Sequence, residues 1–356
     1  MSGVQSDRQI AALFEAGAIA ADRPLAEAQV QPASLDLRLG ARATRVRASF
    51  LAGKGRTVAD RLDEFRMHEF SLGDSAVLEK GCVYVVPLME RLALPAAMSA
   101  AASAKSSIGR LDLLTRVITD EGTEFDRVPP GYEGPLYAEI CPQSFSVVAR
   151  EGQTLTQMIF RDGDTRLPDA ALAALHAETP IVSGDAHISD GLGFSVDLKP
   201  AEGTLVGYRA KRHTGVIDLS KLAHYDAADF WEEVHATNGH IILDPGAFYI
   251  LVSREAITIP PTHAAEMAPY VAMVGEFRVH YAGFFDPGFG HAESGGAGSR
   301  GVLEVRCHDA PFVLEHGQTV GRLVYERMAE PPERAYGAGI RSNYQGQGLK
   351  LSKHFR

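Results

Sequence analysis

The sequence predicts two related all-β domains in tandem, because long segments of its first half recur in its second half. LEKGCVYVVPLMERLALP at 78–95 aligns with LDPGAFYILVSREAITIP at 243–260, a shift of 165 residues. The segments 138–160 and 303–325 align at the same shift of 165 residues, with Gly-Gln-Thr in both. Two long segments that share one offset indicate a duplication.

The recurring segments also have the composition of strands. They are rich in Val, Ile, Tyr and Phe and are bounded by Gly and Pro, which predicts short strands joined by turns. Each copy is therefore expected to form a sandwich or a small barrel. The few predicted helices are Gln9 to Ala16, Ala170 to Ala177 and Ala227 to Val234. A polar, turn-rich stretch predicts a linker, and the expected boundaries are 1–165, the linker 166–190, and 191–356.

Composition excludes several classes of protein. The chain has 356 residues, 45% of them hydrophobic, which is enough for two domains with cores. Its net charge of −10 makes nucleic acid a poor partner, although a local cationic cluster can still bind a small anion. Cys82, Cys141 and Cys307 form no CxxC, which argues against a disulfide framework or a structural zinc site. Without a signal sequence or an apolar membrane-spanning run, we expect a soluble cytoplasmic protein with no membrane partner.

The two copies differ in their charged and hydroxyl-bearing residues. Only the first copy has the motif KSSIGR, which contains Lys105, Ser106, Ser107 and Arg110. The second copy has Asp286 before a Pro-Gly turn, where the first has Pro129, and it alone has a tail rich in Gly, Tyr and Gln. This division predicts one site assembled from two unequal halves.

Each of these candidate residues has a structural alternative. Arginine supplies a planar fork of donors and serine supplies hydroxyls, so KSSIGR suits a phosphate, but it also suits a helix cap or turn. Asp286 is typical of a turn residue before Pro-Gly. Glu304 alternates with Leu303 and Val305, so it is either a solvent-facing charge or a general base beside a pocket. The residues alone leave these alternatives open.

Together the motifs resemble those of the dCTP deaminase and dUTPase family of trimeric β proteins, and in particular a long, tandemly duplicated dCTP deaminase. The motifs are, in order, QPASLDLRLG, KSSIGRL, FFDPGFG, GVLEVRC and AYGAGIRSNYQGQG. The resemblance covers most of both halves apart from the linker. It implies two dUTPase-like domains of the distorted jelly-roll or β-clip type, with a few short helices and a C-terminal tail that closes over the nucleotide.

The resemblance also implies roles for individual residues. The residues that would hold the triphosphate are Lys105, Ser106, Ser107 and Arg110, of which Ser106 and Arg110 would also lie near the reacting end of the base. Asp286 would accept a hydrogen bond from the 3′-hydroxyl of the sugar. The strand edging the base would contain Val302, Leu303 and the catalytic carboxylate Glu304. The tail would contribute Tyr336 and Gln347, and Arg341 or Lys350 would replace the charge of a lysine that is Asn343 here.

Two departures affect this assignment. Glu139 occupies in the first copy the position that Glu304 occupies in the second, so both are candidates for the general base. Glu304 is preferred because it shares a copy with Asp286 and the tail. The first copy also contains an acidic insertion, TDEGTEFD, which leaves open whether Val117 to Thr119 line the base.

The implied reaction is hydrolytic deamination of dCTP to dUTP and ammonia, without zinc. The HAE sequences at His176 and His291 lack the downstream cysteine pair of zinc deaminases. Glu304 would act as base and then as acid, oriented by Ser106 and Arg110. Mg²⁺ would enter with the triphosphate, whose charge exceeds that of one Arg and one Lys. The family also implies a homo-oligomer and inhibition by dTTP.

Two other functions share much of this chemistry. A dUTP pyrophosphatase, or a bifunctional enzyme that converts dCTP to dUMP, would use the same phosphate and sugar contacts. A non-catalytic nucleotide-binding regulator on the same fold would not need Glu304. Deamination is preferred because the glutamate of VLE is retained.

Overall fold

The computed structural model describes residues 2–201, 203–269, 277–280, 283–337 and 345–356. The chain forms two compact units: unit 1 comprises Met1–Thr165 and Gly215–Leu222, and unit 2 comprises Arg166–Thr214 and Ala223–Arg356. Both units are mostly β with a few short helices, as the sequence predicts. Over the described ranges, no helix is both long enough and apolar enough to cross a membrane.

Unit 1 has three α-helices, one short 3₁₀ helix (Glu27–Gln29) and two main sheets in its described part. The helices are α1 (Asp7–Glu15), α2 (Val58–Phe65) and α3 (Ser106–Gly109). The strands are β1 (Gly3–Val4), β2 (Ile19–Ala21), β3 (Leu35–Arg38), β4 (Arg42–Val46), β5 (Arg66–Ser71), β6 (Ala76–Leu78), β7 (Val83–Ala93), β8 (Met98–Ala104), β9 (Leu113–Thr119), β10 (Arg127–Val128), β11 (Glu133–Pro142), β12 (Val147–Ala149) and β13 (Thr154–Asp162).

Unit 2 follows the same plan, and one short strand of this part of the chain, β16, belongs to unit 1. The helices are α4 (Asp169–Glu178) and α5 (Ala227–Phe230). The strands are β14 (Leu192–Ser195), β15 (Leu205–Ala210), β16 (Ile217–Asp218), β17 (Trp231–His235), β18 (His240–Leu243), β19 (Phe248–Ile257), β20 (His263–Pro269), β21 (Phe277–His280), β22 (Phe284–Phe285), β23 (Ser299–Cys307), β24 (Phe312–Glu315) and β25 (Thr319–Arg327).

The sheets of the two units have matching strand orders. The larger sheet runs β5-β4-β7-β11-β9 in unit 1 and β17-β15-β19-β23-β21 in unit 2. A second sheet contains β13-β8-β10 in unit 1 and β25-β20-β22 in unit 2. The recurring sequence segments therefore occupy equivalent strands, β7 with β19 and β11 with β23.

Alternating side chains build the core of each unit. On β23, Leu303, Val305 and Cys307 lie on one face and join the core of unit 2, together with Leu251 and Tyr325. Period-two alternation places Val302 and Glu304 on the opposite face of the same strand. The fold thus packs one face of β23 into this core, and Val302 and Glu304, on the other face, are buried as well.

Two segments of the chain belong to a different part of the fold from the one that the sequence predicts. The predicted linker 166–190 contains α4, and its Leu172 and Ile181 are fully buried in the core of unit 2. The segment Gly215–Leu222 falls within the predicted second domain but belongs to unit 1. There β16 pairs in parallel with β12, and Arg150 donates to both carboxylate oxygens of Asp218 at 2.5 and 2.9 Å. A two-residue strand has no sequence pattern that could indicate such pairing.

The helix predictions are right in position for α1 and α4, and wrong at the end of α5. The predicted helix from Ala227 extends only to Phe230, because the chain continues as strand β17 with Trp231 buried. Helix α2 was missed, although its capping box is visible in the sequence: Thr57 and Asp60 each bond the other's backbone N–H. Helix α3 is a single helical turn formed by Ser106–Gly109 of the KSSIGR motif.

Candidate active site

The motif KSSIGR forms the junction between β8 and β9 in unit 1. Lys105 is extended (φ −64°, ψ 142°) and precedes the four-residue helix α3. Its carbonyl accepts hydrogen bonds from Ile108 N at 2.7 Å and Gly109 N at 3.0 Å, which closes the turn. Ser106 is half-buried, whereas Ser107 and Arg110 are buried, with Arg110 only 2% exposed. The motif therefore does form a turn, as one interpretation of the sequence predicts. This turn is compatible with the other interpretation, a phosphate site, because it brings the polar groups of the motif together.

Lys105 is held by two residues from distant parts of unit 1. Its Nζ forms an ion pair with Asp36, which lies on β3 in the QPASLDLRLG motif. The same Nζ donates to Thr154 Oγ1 at 3.3 Å, at the start of β13. Since Asp36 is buried, this ion pair fixes the direction of the lysine side chain. Three of the sequence motifs therefore converge here.

In unit 2, Glu304 lies in the middle of β23 and is only 5% exposed, so it is not a solvent-facing charge. In the sheet register it lies opposite Ile250 of β19 and His280 of β21. Val302 is on the same face, and Leu303 is fully buried in the core. A nucleobase bound beside this strand would therefore contact the backbone of Leu303 and not its side chain.

Asp286 begins the turn after β22, and its carbonyl accepts from Phe289 N at 3.1 Å. The predicted turn is therefore present. Gly288 within it has a φ of 95°, a conformation that favours glycine, and an added Cβ would lie 2.6 Å from Ser294 Oγ. The turn thus holds the Asp286 carboxylate on a backbone with little freedom.

Described parts of the C-terminal tail contact this region of unit 2. Tyr336 N donates to Pro287 O at 2.8 Å, and its ring lies 5.7 Å from that of Phe289. Gln347 pairs with Arg300 on β23, since its Nε2 donates to Arg300 O at 3.1 Å and its carbonyl accepts from Arg300 N at 3.1 Å. Lys350 is exposed. The predicted positions Arg341 and Asn343 lie outside the described residues.

Unit 1 uses Glu139, the equivalent of Glu304, in an ion pair. Glu139 is 1% exposed and accepts from the guanidinium of Arg116, its neighbour across β11 and β9, with an Nε to Oε1 distance of 3.1 Å. The Arg116 guanidinium lies 3.6 Å from the centre of the Phe125 ring and donates to Ser49 at 3.0 Å. These contacts place Glu139 in an ion pair between β11 and β9 of unit 1.

The acidic insertion folds back onto β9. Asp126 N donates to Val117 O at 2.9 Å, and Val117 N donates to Asp126 Oδ1 at 2.7 Å. The backbone groups of Val117 are therefore occupied, and its side chain is buried like those of Ile118 and Thr119.

A cavity of about 540 Å³ lies beside the insertion. Four acidic residues line it, Asp120, Glu121, Glu124 and Glu133, against two arginines, Arg127 and Arg161, so its net negative charge disfavours a triphosphate.

Burial raises the pKa of Asp126 to about 7, against the opposing effects of the Val117 N–H and the Arg116 charge. The folded protein therefore retains a proton that the unfolded chain has lost, and the free energy of unfolding should fall as pH rises from about 4 to about 7. Asp126→Asn should remove this part of the pH dependence. Asparagine can still accept from Val117 N and tolerates the φ of 62°.

Urea unfolding of both proteins at about pH 5 and about pH 8 measures the effect. The wild type should lose more stability than the variant between these two conditions. Equal losses would contradict the raised pKa of Asp126.

No group of three or more His, Cys, Asp and Glu residues that could hold a metal ion occurs in the part of the chain that the structure describes. The two HAE histidines instead bond local backbone. His176 Nδ1 accepts from Ile181 N at 3.3 Å, and His291 Nδ1 accepts from Glu293 N at 3.3 Å. The absence of zinc stays a prediction.

Sequence reasoning missed three residues that support the predicted ones. Asp36 orients Lys105, Arg116 pairs with Glu139, and Gln345 bonds the loop that follows Asp286. For Asp36 and Gln345 a signal was present, because both lie inside motifs already singled out, QPASLDLRLG and AYGAGIRSNYQGQG. Nothing in the sequence indicates which arginine faces Glu139, since that depends on the register of β9 and β11.

Comparison with known proteins gives consistent matches over both units. A family model described as the 2′-deoxycytidine 5′-triphosphate deaminase (DCD) N-terminal domain matches residues 1–164, and the model of the C-terminal domain matches residues 168–355. The crystal structure of 2′-deoxycytidine 5′-triphosphate deaminase from Agrobacterium tumefaciens is 55% identical, covers 92% of this chain and 99% of that chain, and has a TM-score of 0.88.

Shorter curated relatives match part of the chain. A protein of Beutenbergia cavernae named dCTP deaminase, dUMP-forming, is 32% identical over 152 residues, which is 40% of this chain and 74% of the relative. A protein of Kocuria rhizophila with the same name is 30% identical over 176 residues, which is 45% of this chain and 85% of the relative.

Proposed function

The chain belongs to the dCTP deaminase family, a family of enzymes, and we propose that it deaminates dCTP with Glu304 as the general base. The observation that carries this assignment is the position of Glu304 on β23. It lies on the face opposite the core, nearly inaccessible to solvent, on a strand next to the Asp286 turn and the tail. A carboxylate shielded from water suits proton transfer.

In the proposed reaction, water attacks C4 of cytosine as Glu304 accepts its proton. Glu304 then gives that proton to the 4-amino group, the C–N bond breaks, ammonia leaves, and the remaining proton of the water moves from O4 to N3 to give the uracil ring. Ser106 and Arg110 orient the reacting groups, and the triphosphate binds the KSSIGR motif. Asp286 accepts from the 3′-hydroxyl, while Tyr336, Gln347 and the β23 backbone enclose the nucleotide. The products are dUTP and ammonia.

The acidic insertion of unit 1 favours Glu304 over Glu139 as the base. The acidic insertion occupies the backbone of Val117, on the strand beside Glu139. The cytosine ring of a bound nucleotide could not form hydrogen bonds with the Val117 backbone without displacing the insertion.

Mg²⁺ is proposed to enter as the complex with the triphosphate, because the KSSIGR motif supplies only one lysine and one arginine. The ion would neutralise phosphate charge, and the catalytic step would need no zinc. Inhibition by dTTP is proposed on the same ground, since dTTP shares the triphosphate and the sugar of dCTP.

A second candidate, conversion of dCTP to dUMP, is favoured by the names of the two curated relatives. It adds hydrolysis of the nucleotide between the α- and β-phosphates. Incubation of the protein with dCTP and Mg²⁺, with ammonia, dUTP, dUMP and pyrophosphate resolved, separates the candidates. Ammonia with dUTP supports deamination alone, and ammonia with dUMP and pyrophosphate supports the second candidate. Without ammonia, both fail.

We also propose that the two units arose by tandem duplication of one dUTPase-like domain of the β-clip or jelly-roll type. The matching strand orders and the repeat spacing of 165 residues support this origin. The two proposed domains correspond to unit 1 and unit 2, so that residues 166–190, predicted as a linker, belong to the second domain and residues 215–222 to the first. The chain is proposed to form a homo-oligomer. Size-exclusion chromatography with light scattering tests the assembly.

A further inference from the structure

The side chain of Gln345 binds the loop that follows Asp286. Its Oε1 accepts from Gly290 N at 3.1 Å, and its Nε2 donates to Ser294 O at 3.3 Å and to Gly288 O at 3.4 Å. Both ends of one amide are thus used on one loop. An amide is the side-chain group that can accept from a backbone N–H and donate to two carbonyls at once.

Glycines make room for this amide. An added Cβ at Gly296 would lie 2.9 Å from Gln345 Nε2, and one at Gly337 would lie 3.1 Å from Gln345 Cδ. The same Cβ atoms would lie still closer to the loop backbone, at 2.5 Å from Gly290 C for Gly296 and 2.9 Å from Ser294 O for Gly337. Both glycines therefore allow the loop and the tail to pack closely around the amide.

The loop is otherwise tied to the end of β19 and to the tail. Gly288 N donates to Ile259 O at 3.0 Å, and Ile259 N donates to Phe289 O at 2.8 Å. Gln345 adds the bond to Gly290 N, the next amide along the loop. Without it, the loop would keep its first attachments and lose its connection to residues 345–347.

The neighbours of Gln345 extend this connection to β23. Gly346 N donates to Ser299 Oγ at 2.7 Å, and Gln347 forms two hydrogen bonds with Arg300. Ser299 and Arg300 begin the strand that contains Glu304. One short tail segment thus bonds both the Asp286 loop and the catalytic strand.

We propose that Gln345 is a positioning residue, which holds the 286–290 turn and through it sets the place of the Asp286 carboxylate for the sugar 3′-hydroxyl. The inference rests on the proposed function, because it assumes that Asp286 binds the sugar of dCTP. Gln345 itself does not touch the substrate in this assignment. Its effect should therefore depend on whether the substrate has a 3′-hydroxyl.

The test compares Gln345→Ala and the wild type on dCTP and on 2′,3′-dideoxy-CTP, by steady-state release of ammonia. With dCTP, we expect the KM of the variant to rise about tenfold, which corresponds to about 1.4 kcal/mol, and kcat to change by less than about threefold. With the dideoxy substrate, the KM values of variant and wild type should agree within about twofold. An equal rise on both substrates, or no rise on either, would overturn the proposal.

Two further variants separate positioning from general destabilisation. Gln345→Glu keeps the size but sets carboxylate oxygens against the carbonyls of Gly288 and Ser294, so it should reproduce the KM rise on dCTP. Gln318→Ala is the matched control, because Gln318 also accepts one backbone N–H in a turn of unit 2, from Glu315 at 3.2 Å. It should leave both KM values unchanged.

The two proposals fail in distinguishable ways. If the wild type releases no ammonia from dCTP, the proposed function is wrong. If the wild type is active and Gln345→Glu and Gln345→Ala behave like Gln318→Ala, only the positioning role is wrong.

Discussion

Glu304→Gln is expected to lower kcat for dCTP deamination by about 10²–10⁴-fold, the range that general acid–base catalysis contributes. Glutamine keeps the shape of the side chain but can neither accept the proton of the attacking water nor deliver it to the leaving ammonia. Binding should survive, because the contacts proposed for the triphosphate and sugar lie on other residues. Isothermal titration with dCTP and Mg²⁺, beside a stopped assay for ammonia, measures binding and turnover separately.

Glu139→Gln is the matched comparison, since both glutamates occupy equivalent positions on β11 and β23 and both are buried. We expect its turnover to stay near that of the wild type, and its stability to fall because Arg116 loses its partner. If turnover were lost in Glu139→Gln and kept in Glu304→Gln, the catalytic role would pass to Glu139.

Arg110→Gln should lower kcat/KM by about 10²–10³-fold, the cost of removing one preorganised donor from a charged transition state. The substitution removes the only arginine of the KSSIGR motif. Because Arg110 is 2% exposed, its guanidinium is fixed by packing, and a shorter neutral side chain cannot reproduce its donors. Arg110→Lys should recover only part of the loss, since lysine retains the charge but lacks the planar fork.

Arg116→Gln controls for the loss of a partly buried cation in the same unit. It breaks the ion pair with Glu139 and the contact with Phe125, so the free energy of unfolding should decrease. Its kcat/KM should stay within about threefold of the wild type. Should Arg116→Gln lose activity while Arg110→Gln keeps it, the functional arginine would be Arg116.

Much of the fold could be predicted because its signals are local. The alternation and turn residues of each repeat predicted β7 with β19 and β13 with β25, and these strands hold equivalent places in the two units. The pairing of β16 with β12 was beyond sequence reasoning, because residues 217 and 147 are far apart in the chain and only contact brings them together.

The candidate site likewise combines features that the sequence predicts with features that only the tertiary structure decides. The sequence by itself determined which residue types are available: the KSSIGR turn, the Asp-Pro-Gly turn, and two glutamates on equivalent strands. Only the tertiary structure decided that Lys105 faces Asp36, that Arg116 engages Glu139, and that Gln345 bonds the Asp286 loop. The physical reason is that turns and strands follow from neighbouring residues, whereas the partner of a buried charge depends on register and packing between distant segments.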